Sequence, residues 1–381
     1  MNPSSKGWLK KLLKFAEKDS GNCFTKHKFY KSLKNVGFIY GSNISILIKN
    51  LRKTDFTQEE CCKINYLLSL FYINKINKSK NDFESNLMAF YNNIGFYKPN
   101  FINELIGDDI ESIIHKRIQI DNNLFSKKYS FFVTNFLLFL DILSYDVFLK
   151  NPNMTRDYQM KMENYISAIV IKSLSSKNEK SDYEITLIKL LELSLRSSDI
   201  KKPSFKAKEL NNFSELERNY FLDLACMASW TEKSDYEINN EFIKKFKFNF
   251  DEISQAISDL NNFYKNNKNN VSILSTQNLA VRLYEHSSNT VKKLITRNSK
   301  RLFQELKESK ELVKLLSEST TRNLSSEEQN KMQEQLMDIL KSIPSLAIFM
   351  LPGGAILLPL FIKFIPKLLP SAFDENRIED K

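Results

Sequence analysis

The sequence has few residues that interrupt helices, with only 8 glycines and 9 prolines among 381 residues. Five of these prolines lie between Pro344 and Pro370, so the preceding chain is almost free of helix breakers. Because glycine and proline also mark the turns of β-proteins, their scarcity favours long helices over strands and hairpins. A hydrophobic content of 42% is enough for a packed core and excludes general disorder. The sequence therefore predicts an all-α protein, with a multi-helical soluble body followed by a proline-rich C-terminal segment.

Cysteine and histidine are also scarce, and neither forms the spacing typical of a disulfide framework, a metal site or a catalytic site. Cys61 and Cys62 are adjacent, whereas Cys23 and Cys226 stand alone, so the sequence offers no disulfide framework. This usage fits a reducing compartment with buried thiols. The three histidines are far apart, and no glycine-rich phosphate loop or nucleophile elbow occurs. We therefore expect no enzyme, no cofactor and no metal site.

The net charge of +11 does not by itself indicate a nucleic-acid-binding protein. Phosphate contacts favour clustered lysine and arginine, but here acidic residues are interspersed with the basic ones. Lysine, asparagine and isoleucine are abundant throughout the chain, and no nucleic-acid-binding motif is recognisable. We expect no DNA partner.

The N-terminus lacks the apolar stretch of a signal peptide, so we expect the body to stay in the cytoplasm. It contains a short basic amphipathic helix with apolar residues opposite lysines: Trp8, Leu9, Leu12, Leu13 and Phe15 against Lys10, Lys11 and Lys14. Such a helix either contacts a membrane surface or packs on its own domain. Both alternatives remain open at this point.

Capping boxes, in which a Ser or Thr and a Glu three residues later satisfy each other's backbone N–H groups, predict several helix starts. They occur at Thr57 with Glu60, Ser181 with Glu184, Ser214 with Glu217, and Ser325 with Glu328. The uncharged run 129–140 is too short to span a bilayer and predicts a buried core helix. Stretches rich in Asn and Lys suggest domain boundaries, giving domains at 1–175, 176–270 and 271–381. In the last domain, one long helix or a helical pair is expected over 272–319.

A basic stripe lies within this helical region, because residues 290–301 contain five basic residues and no acid. Lys293, Arg297 and Arg301 recur every four residues and share one helix face. Three interpretations are open: a contact with anionic lipid, a contact with ribosomal RNA, or a solvated helix face.

The run 343–362 contains no charged residue, and a helix of that length reaches about 30 Å, one hydrocarbon thickness. We predict a membrane segment over 343–370 that includes Pro344, Pro352, Gly353, Gly354, Pro359, Lys363, Pro366, Lys367 and Pro370. The spacing of Pro352, Pro359 and Pro366 would free a stripe of carbonyls on Ile348, Ala355 and Ile362. This stripe forms either a polar seam for a cation, water or partner helix, or only a kinked anchor. A single span and a re-entrant or surface-lying hairpin turning at Pro-Gly-Gly are both compatible with the sequence.

The stretch 324–373 resembles the Letm family, the leucine zipper–EF-hand-containing transmembrane proteins. The matching features are the Leu-Ser-x-x-Glu helix start, the proline-rich segment and the ending Lys-Phe-Ile-Pro-Lys-Leu-Leu-Pro-Ser-Ala-Phe. The whole chain is most similar to bacterial Letm-related proteins described as biofilm-associated. Residues 215–246 weakly resemble the TerB-like helical domain, but the acidic loop of that domain is degraded at 231–235, so no metal ligand is carried over.

The Letm resemblance implies a membrane protein linked to cation–proton exchange, with ribosome association as a second theme. Ala355 stands where the mitochondrial members carry a membrane glutamate, and an intramembrane carboxylate is a natural proton carrier. Because the printed chain ends at Lys381, we expect the family's ribosome-binding-like domain and EF-hand to lie outside it.

These features predict a membrane-associated protein acting in cation homeostasis, as an exchanger or its support, or in envelope or biofilm physiology. The alternative is a non-transporting membrane adaptor that binds ribosomes or another cytosolic partner. The expected partners are inner-membrane lipid, the ribosome and a second copy of the chain. The expected location is a bacterial inner membrane, with the bulk of the chain in the cytoplasm.

Overall fold

The computed structural model describes only part of the chain. It covers residues 1, 3, 6–19, 25–48, 51, 56–94, 106–118, 138–177, 179–180, 184–185, 187–189, 192, 212–230, 248–267, 291–319, 322, 324–343, 346 and 358–368. Within these residues the regular structure is helical and contains no β-strand. The all-α prediction is therefore confirmed for this part of the chain.

The helices α1 to α9 form what we call the N-terminal body. They are α1 (Trp8–Asp19), α2 (Lys26–Asn35), α3 (Gln58–Ile76), α4 (Phe83–Asn93), α5 (Ile106–Ile118), α6 (138–148), α7 (Thr155–Ser175), α8 (Glu215–Ser229) and α9 (Phe250–Asn267). The C-terminal unit contains α10 (291–297), α11 (Ser299–Glu308), α12 (Lys310–Glu318), α13 (Ser326–Ser342) and α14 (Leu358–Leu368).

Three of the predicted capping boxes are present and define helix starts. Thr57, Ser214 and Ser325 each accept a hydrogen bond from the backbone N–H of the glutamate three residues later, and each glutamate carboxylate accepts one from the backbone N–H of the cap residue. These reciprocal bonds satisfy N–H groups that the first helical turn leaves unpaired. The fourth predicted cap, Ser181, lies outside the described residues.

The core of the N-terminal body is built around α3, which is buried on nearly all sides and packs against α2, α4 and α5. Helix α8 packs against α7 and α9 and also contacts α2. The described end of the run 129–140 is buried at Leu138, Phe139 and Leu140, as a core helix requires. Residues 129–137 lie outside the described part.

A buried ion pair fixes α5 against α6. Arg117 donates two hydrogen bonds to Asp141, of 2.6 and 2.7 Å, and the Tyr66 hydroxyl donates a third to the same carboxylate at 2.7 Å. Burial of the guanidinium opposes its charge, but the adjacent Asp141 carboxylate outweighs burial, so the pKa of Arg117 is raised. The charge of Asp141, which is fully buried, is thus matched by donors rather than left unpaired.

The C-terminal unit has its own hydrophobic core. Its buried residues include Val291, Leu294, Ile295, Leu302, Leu306, Leu312, Leu316, Leu336, Leu340, Ile343, Leu346, Phe361 and Ile365. Helix α12 lies at the centre of this unit, since it contacts α11, α13 and α14. The principal core of the N-terminal body contains residues from both 1–175 and 176–270. The domain boundaries near 176 and 270 remain predictions.

The single long helix or helical pair expected over 272–319 is wrong for its described part. Residues 291–318 form three shorter helices, because the backbone leaves the helical conformation at Asn298 (φ −101°, ψ 12°) and Ser309 (φ −115°, ψ 65°). The Leu294 carbonyl accepts both the Asn298 side chain at 2.7 Å and the Asn298 N–H at 3.2 Å, so the last backbone bond of α10 ends at this residue. The breaks allow successive amphipathic helices to fold back onto one core.

Candidate functional site

Helix α14 contains most of the described residues of the predicted membrane segment. Its Phe361 and Ile365 side chains are completely buried in the core of the C-terminal unit, whereas Lys363 and Lys367 are exposed. Pro366 lies inside the helix, where it cannot donate the backbone bond that would reach the Ile362 carbonyl. In this structure α14 is therefore an amphipathic helix with its apolar face on protein and its basic face outward.

The other residues of the predicted segment are placed as follows. Pro359 lies within α14, and Ile343 and Leu346 are buried in the same core as Phe361. Pro344, Pro352, Gly353, Gly354 and Pro370, together with Ile348 and Ala355, lie outside the described residues. None of the helices in the described ranges combines the length and apolar character needed to cross a membrane. The span, the hairpin and the carbonyl seam remain predictions.

The predicted basic stripe faces other parts of the chain. Lys293 Nζ donates to the Phe56 carbonyl at 3.1 Å, and Arg297 Nη1 donates to Glu60 Oε2 at 2.6 Å. Arg301 Nη2 donates to the Ser342 carbonyl at 2.6 Å and so joins α11 to the end of α13. The structure brings these three cations into intramolecular contacts, and no observation tests their proposed contact with lipid or RNA.

The Arg297–Glu60 pair joins the two parts of the molecule in a largely dry environment. The Glu60 side chain is 2% exposed and that of Arg297 is 18% exposed. Glu60 Oε2 also accepts the Thr57 N–H at 2.9 Å, so one carboxylate both caps α3 and holds α10. Low exposure strengthens such a pair but also makes the loss of either partner costly.

A second basic surface, which sequence reasoning missed, lies beside this stripe. Lys292 is exposed, and its Nζ stands 4.7 Å from the centroid of the Phe364 ring on α14. This contact brings Lys292 to the helix that carries Lys363 and Lys367. We call these three lysines the α10–α14 basic surface. Neither 291–297 nor 358–368 contains an acidic residue.

The sequence could not distinguish the two basic faces of α10. Val291, Leu294 and Ile295 form its buried face. Successive residues of a helix are rotated by about 100°, so one row of side chains starting at Lys292 and another starting at Lys293 lie on either side of that face. Which row faces the protein depends on where Glu60 lies, and Glu60 is distant in sequence. The absence of acid in 290–301 therefore did not indicate which of the two rows faces the protein.

Arg322, between α12 and α13, forms ion pairs with both helices. Arg322 contacts the carboxylates of Glu318, at the end of α12, and Glu328, in the first turn of α13. Hydrogen bonds from Arg322, followed by the backbone bond of the Ser325 cap, lower the pKa of Glu328 to about 2. These contacts fix the start of α13, where the Leu-Ser-x-x-Glu motif predicted a helix start.

Among the described residues, no three His, Cys, Asp or Glu side chains lie close enough to hold a metal ion. In the part resembling a TerB-like domain, α8 is described, but the loop 231–235 lies outside the described residues. That resemblance and the bacterial origin remain predictions.

Residues 324–381 match the family model described as LETM1-like, RBD, where RBD denotes a ribosome-binding domain. No curated protein and no solved structure matches the chain. The matched residues include α13, α14 and the Pro-Lys-Leu-Leu-Pro-Ser-Ala-Phe ending. The expectation that a ribosome-binding-like domain lies outside the chain is therefore wrong, because the matched model is the one that carries that name. The protein is Letm-like in its C-terminal region, over residues 324–381.

Proposed function

We propose that this protein is a non-enzymatic, membrane-associated adaptor whose C-terminal unit binds the ribosome. The observation that carries the proposal is the match of residues 324–381 to a LETM1-like ribosome-binding domain. That match includes α14, which presents Lys363 and Lys367 outward. A family match and an outward cationic face on the same helix favour an anionic macromolecular partner.

The α10–α14 basic surface has the chemistry that ribosomal RNA requires. Its lysines belong to two helix segments that contain no acidic residue, so no carboxylate of these segments opposes an approaching phosphate backbone. Phe364 lies under Lys292 and holds that ammonium group by a cation–π contact. Binding through phosphates releases counterions, and the affinity should therefore fall steeply with salt.

The membrane part of the proposal rests on the sequence of the run 343–362, which contains no charged residue. In an adaptor this run attaches the C-terminal unit to the inner membrane while the N-terminal body remains on the cytoplasmic side. Ribosome binding on the same unit would then bring translating ribosomes to the membrane surface.

Ribosome co-sedimentation of the full chain at increasing salt tests the proposal. The test variant reverses charge at Lys292, Lys363 and Lys367, and the matched control reverses three exposed lysines of the same unit, Lys307, Lys310 and Lys314. If each surface lysine neutralises one phosphate, the test variant should bind more weakly, and its salt-dependence slope should fall by about three units. The control should bind like the original chain. Circular dichroism verifies that both variants are folded.

The result also discriminates between the two basic faces. Binding that survives the test variant but disappears on charge reversal at Lys293, Arg297 and Arg301 would assign the ribosome contact to the inner row. That outcome would require the C-terminal unit to separate from Glu60 and Phe56 on binding. No ribosome binding by the original chain at low salt would refute the adaptor function.

A second candidate is cation exchange, or its support. It is favoured by the seven-residue spacing of Pro352, Pro359 and Pro366, the last of which lies inside α14 and withholds a donor from the Ile362 carbonyl. Cation flux into proteoliposomes tests it. Flux that persists when Pro366 is replaced by alanine, which restores the donor, would count against a carbonyl-lined path.

A further inference from the structure

Helix α1 is the basic amphipathic helix noted in the sequence, and its apolar face is already occupied. Trp8, Leu9, Leu12 and Ala16 are at most 5% exposed in the core of the N-terminal body. The helix cannot lay this face into a bilayer without leaving that core. Any further role of α1 must therefore use its opposite face.

The N-terminus of α1 is fixed to the body by a carboxylate on α5. Glu111 accepts the Gly7 N–H at 2.9 Å and the Leu9 N–H at 2.8 Å. These bonds satisfy N–H groups that the first helical turn leaves unpaired and place a negative charge at the positive end of the helix. Held at its end and along its apolar face, α1 presents its outward side chains from a rigid base.

The outward face of α1 is cationic. Lys10, Lys14 and Lys18 lie one turn apart in a single row, Lys11 is beside them, and all four are exposed. Within the described residues none of the four forms an ion pair. Like charges four residues apart destabilise a helix, and the exposed Glu17, three residues after Lys14, offsets this repulsion only in part. A partner that supplies negative charge would relieve this repulsion.

We propose that this face of α1, defined by Lys10, Lys11, Lys14 and Lys18, is an electrostatic docking surface for anionic lipid headgroups. It lies outside residues 324–381 and does not depend on the ribosome-binding function. Two contacts with the membrane, α1 and the run 343–362, would orient the N-terminal body relative to the bilayer.

Two features of the face suit an anionic bilayer. Its basic residues are all lysines, and the exposed Glu17 lies among them, so the face carries a net positive charge. Lysine acts as a point charge, which suits the diffuse potential of an anionic bilayer. Phe15 is 42% exposed at the edge of the same face, where an aromatic ring can rest at the headgroup level.

Flotation of the full chain with vesicles tests the proposal. Binding to pure phosphatidylcholine vesicles measures attachment through the uncharged run 343–362. Vesicles of equal parts phosphatidylcholine and phosphatidylserine measure this attachment together with the electrostatic contribution. The test variant replaces Lys10, Lys14 and Lys18 by glutamine. The matched control replaces Lys28, Lys31 and Lys80, exposed lysines of the same body, by glutamine. The formal charge change is thus identical.

The original chain should bind the anionic vesicles more tightly than the neutral ones. The test variant should lose about a hundredfold of that gain, since each surface lysine contributes about fivefold. Phe15→Ala should lose a smaller part of it, and the control variant almost none. Ribosome co-sedimentation should be unchanged in all of them, so failure of the adaptor function would leave this result intact.

Three outcomes would overturn the proposal. The first is equal binding of the original chain to neutral and anionic vesicles. The second is an equal loss in test and control variants, which would show that net charge alone determines binding. The third is a test variant that retains vesicle binding but loses ribosome or RNA binding, which would assign the α1 face to nucleic acid.

Discussion

At the scale of single residues, Glu60 connects the two parts of the molecule. Its carboxylate accepts from Thr57 at the start of α3 and from Arg297 on α10. The sequence indicates the first role, because a Thr and a Glu three residues apart form a recognisable capping box. The second role depends on a partner 237 positions away in the chain, and no local pattern predicts it.

Glu60→Gln should separate the two roles. Glutamine preserves an acceptor for the Thr57 N–H but removes the charge that holds Arg297, so the α3 cap should survive while the docking of α10 weakens. We expect a loss of about 1–3 kcal/mol in unfolding free energy. Amide exchange should become faster in 291–297 and remain slow in the first turn of α3.

Glu60→Ala is the comparison, since it removes both bonds. If Glu60→Gln accelerates exchange in α3 as much as Glu60→Ala does, the cap rather than the ion pair accounts for the loss.

His115 should make the stability of the N-terminal body depend on pH. Its Nδ1 lies 3.1 Å from Lys63 Nζ, and burial followed by the Lys63 charge lowers its pKa from the ordinary value of 6.5. His115 therefore binds a proton more weakly in the folded state than in the unfolded chain. Stability from this group is complete above pH 6.5 and declines as the pH falls below it.

Urea unfolding at pH values above and below 6.5 measures this effect. His115→Gln should remove the part of the pH dependence that comes from the histidine. An identical pH profile in the substituted protein would show that other groups produce it.

At the scale of elements, the helix starts were predictable and some of the breaks were not. The caps at Thr57, Ser214 and Ser325 follow from local side-chain bonds, which are encoded within four residues. The breaks at Asn298 and Ser309 have no proline or glycine to signal them. They exist because α11 and α12 must each turn an apolar face to the same core, and only the tertiary structure sets that requirement.

The start of α13 gives a prediction at this scale. Ser325 Oγ accepts from the Glu328 N–H at 3.3 Å, and Glu328 Oε2 accepts from the Ser325 N–H at 2.8 Å. Ser325→Ala should therefore destabilise the C-terminal unit by about 1 kcal/mol, the usual cost of a lost N-cap. Ser326→Ala, at the adjacent exposed position, is the control and should change stability little.

Thermal unfolding of both variants provides the measurement. Equal stability of Ser325→Ala and the original chain would mean that the Arg322 contacts with Glu318 and Glu328 fix the start of α13 without the cap.

At the scale of the whole molecule, one apolar sequence in the C-terminal unit has two possible roles, as a membrane segment and as part of the protein core. The run 343–362 is long enough for a membrane span, yet Ile343 and Leu346 are buried in the core together with Phe361 and Ile365 of α14. A truncation at Ser342 would thus remove part of this core, and loss of membrane binding would not distinguish anchoring from unfolding. A test of attachment must leave the chain intact.

A single charge inside the run meets that requirement. Ile356→Asp should move the full chain from carbonate-washed membranes into the wash, because a carboxylate at the centre of a membrane helix costs about 3 kcal/mol. Asn330→Asp, on the exposed side of α13, makes the same charge change outside the run and should leave the protein in the membrane. If the original chain itself washes off, the uncharged run is not an integral anchor. Attachment would then depend on peripheral contacts such as the lysine face of α1.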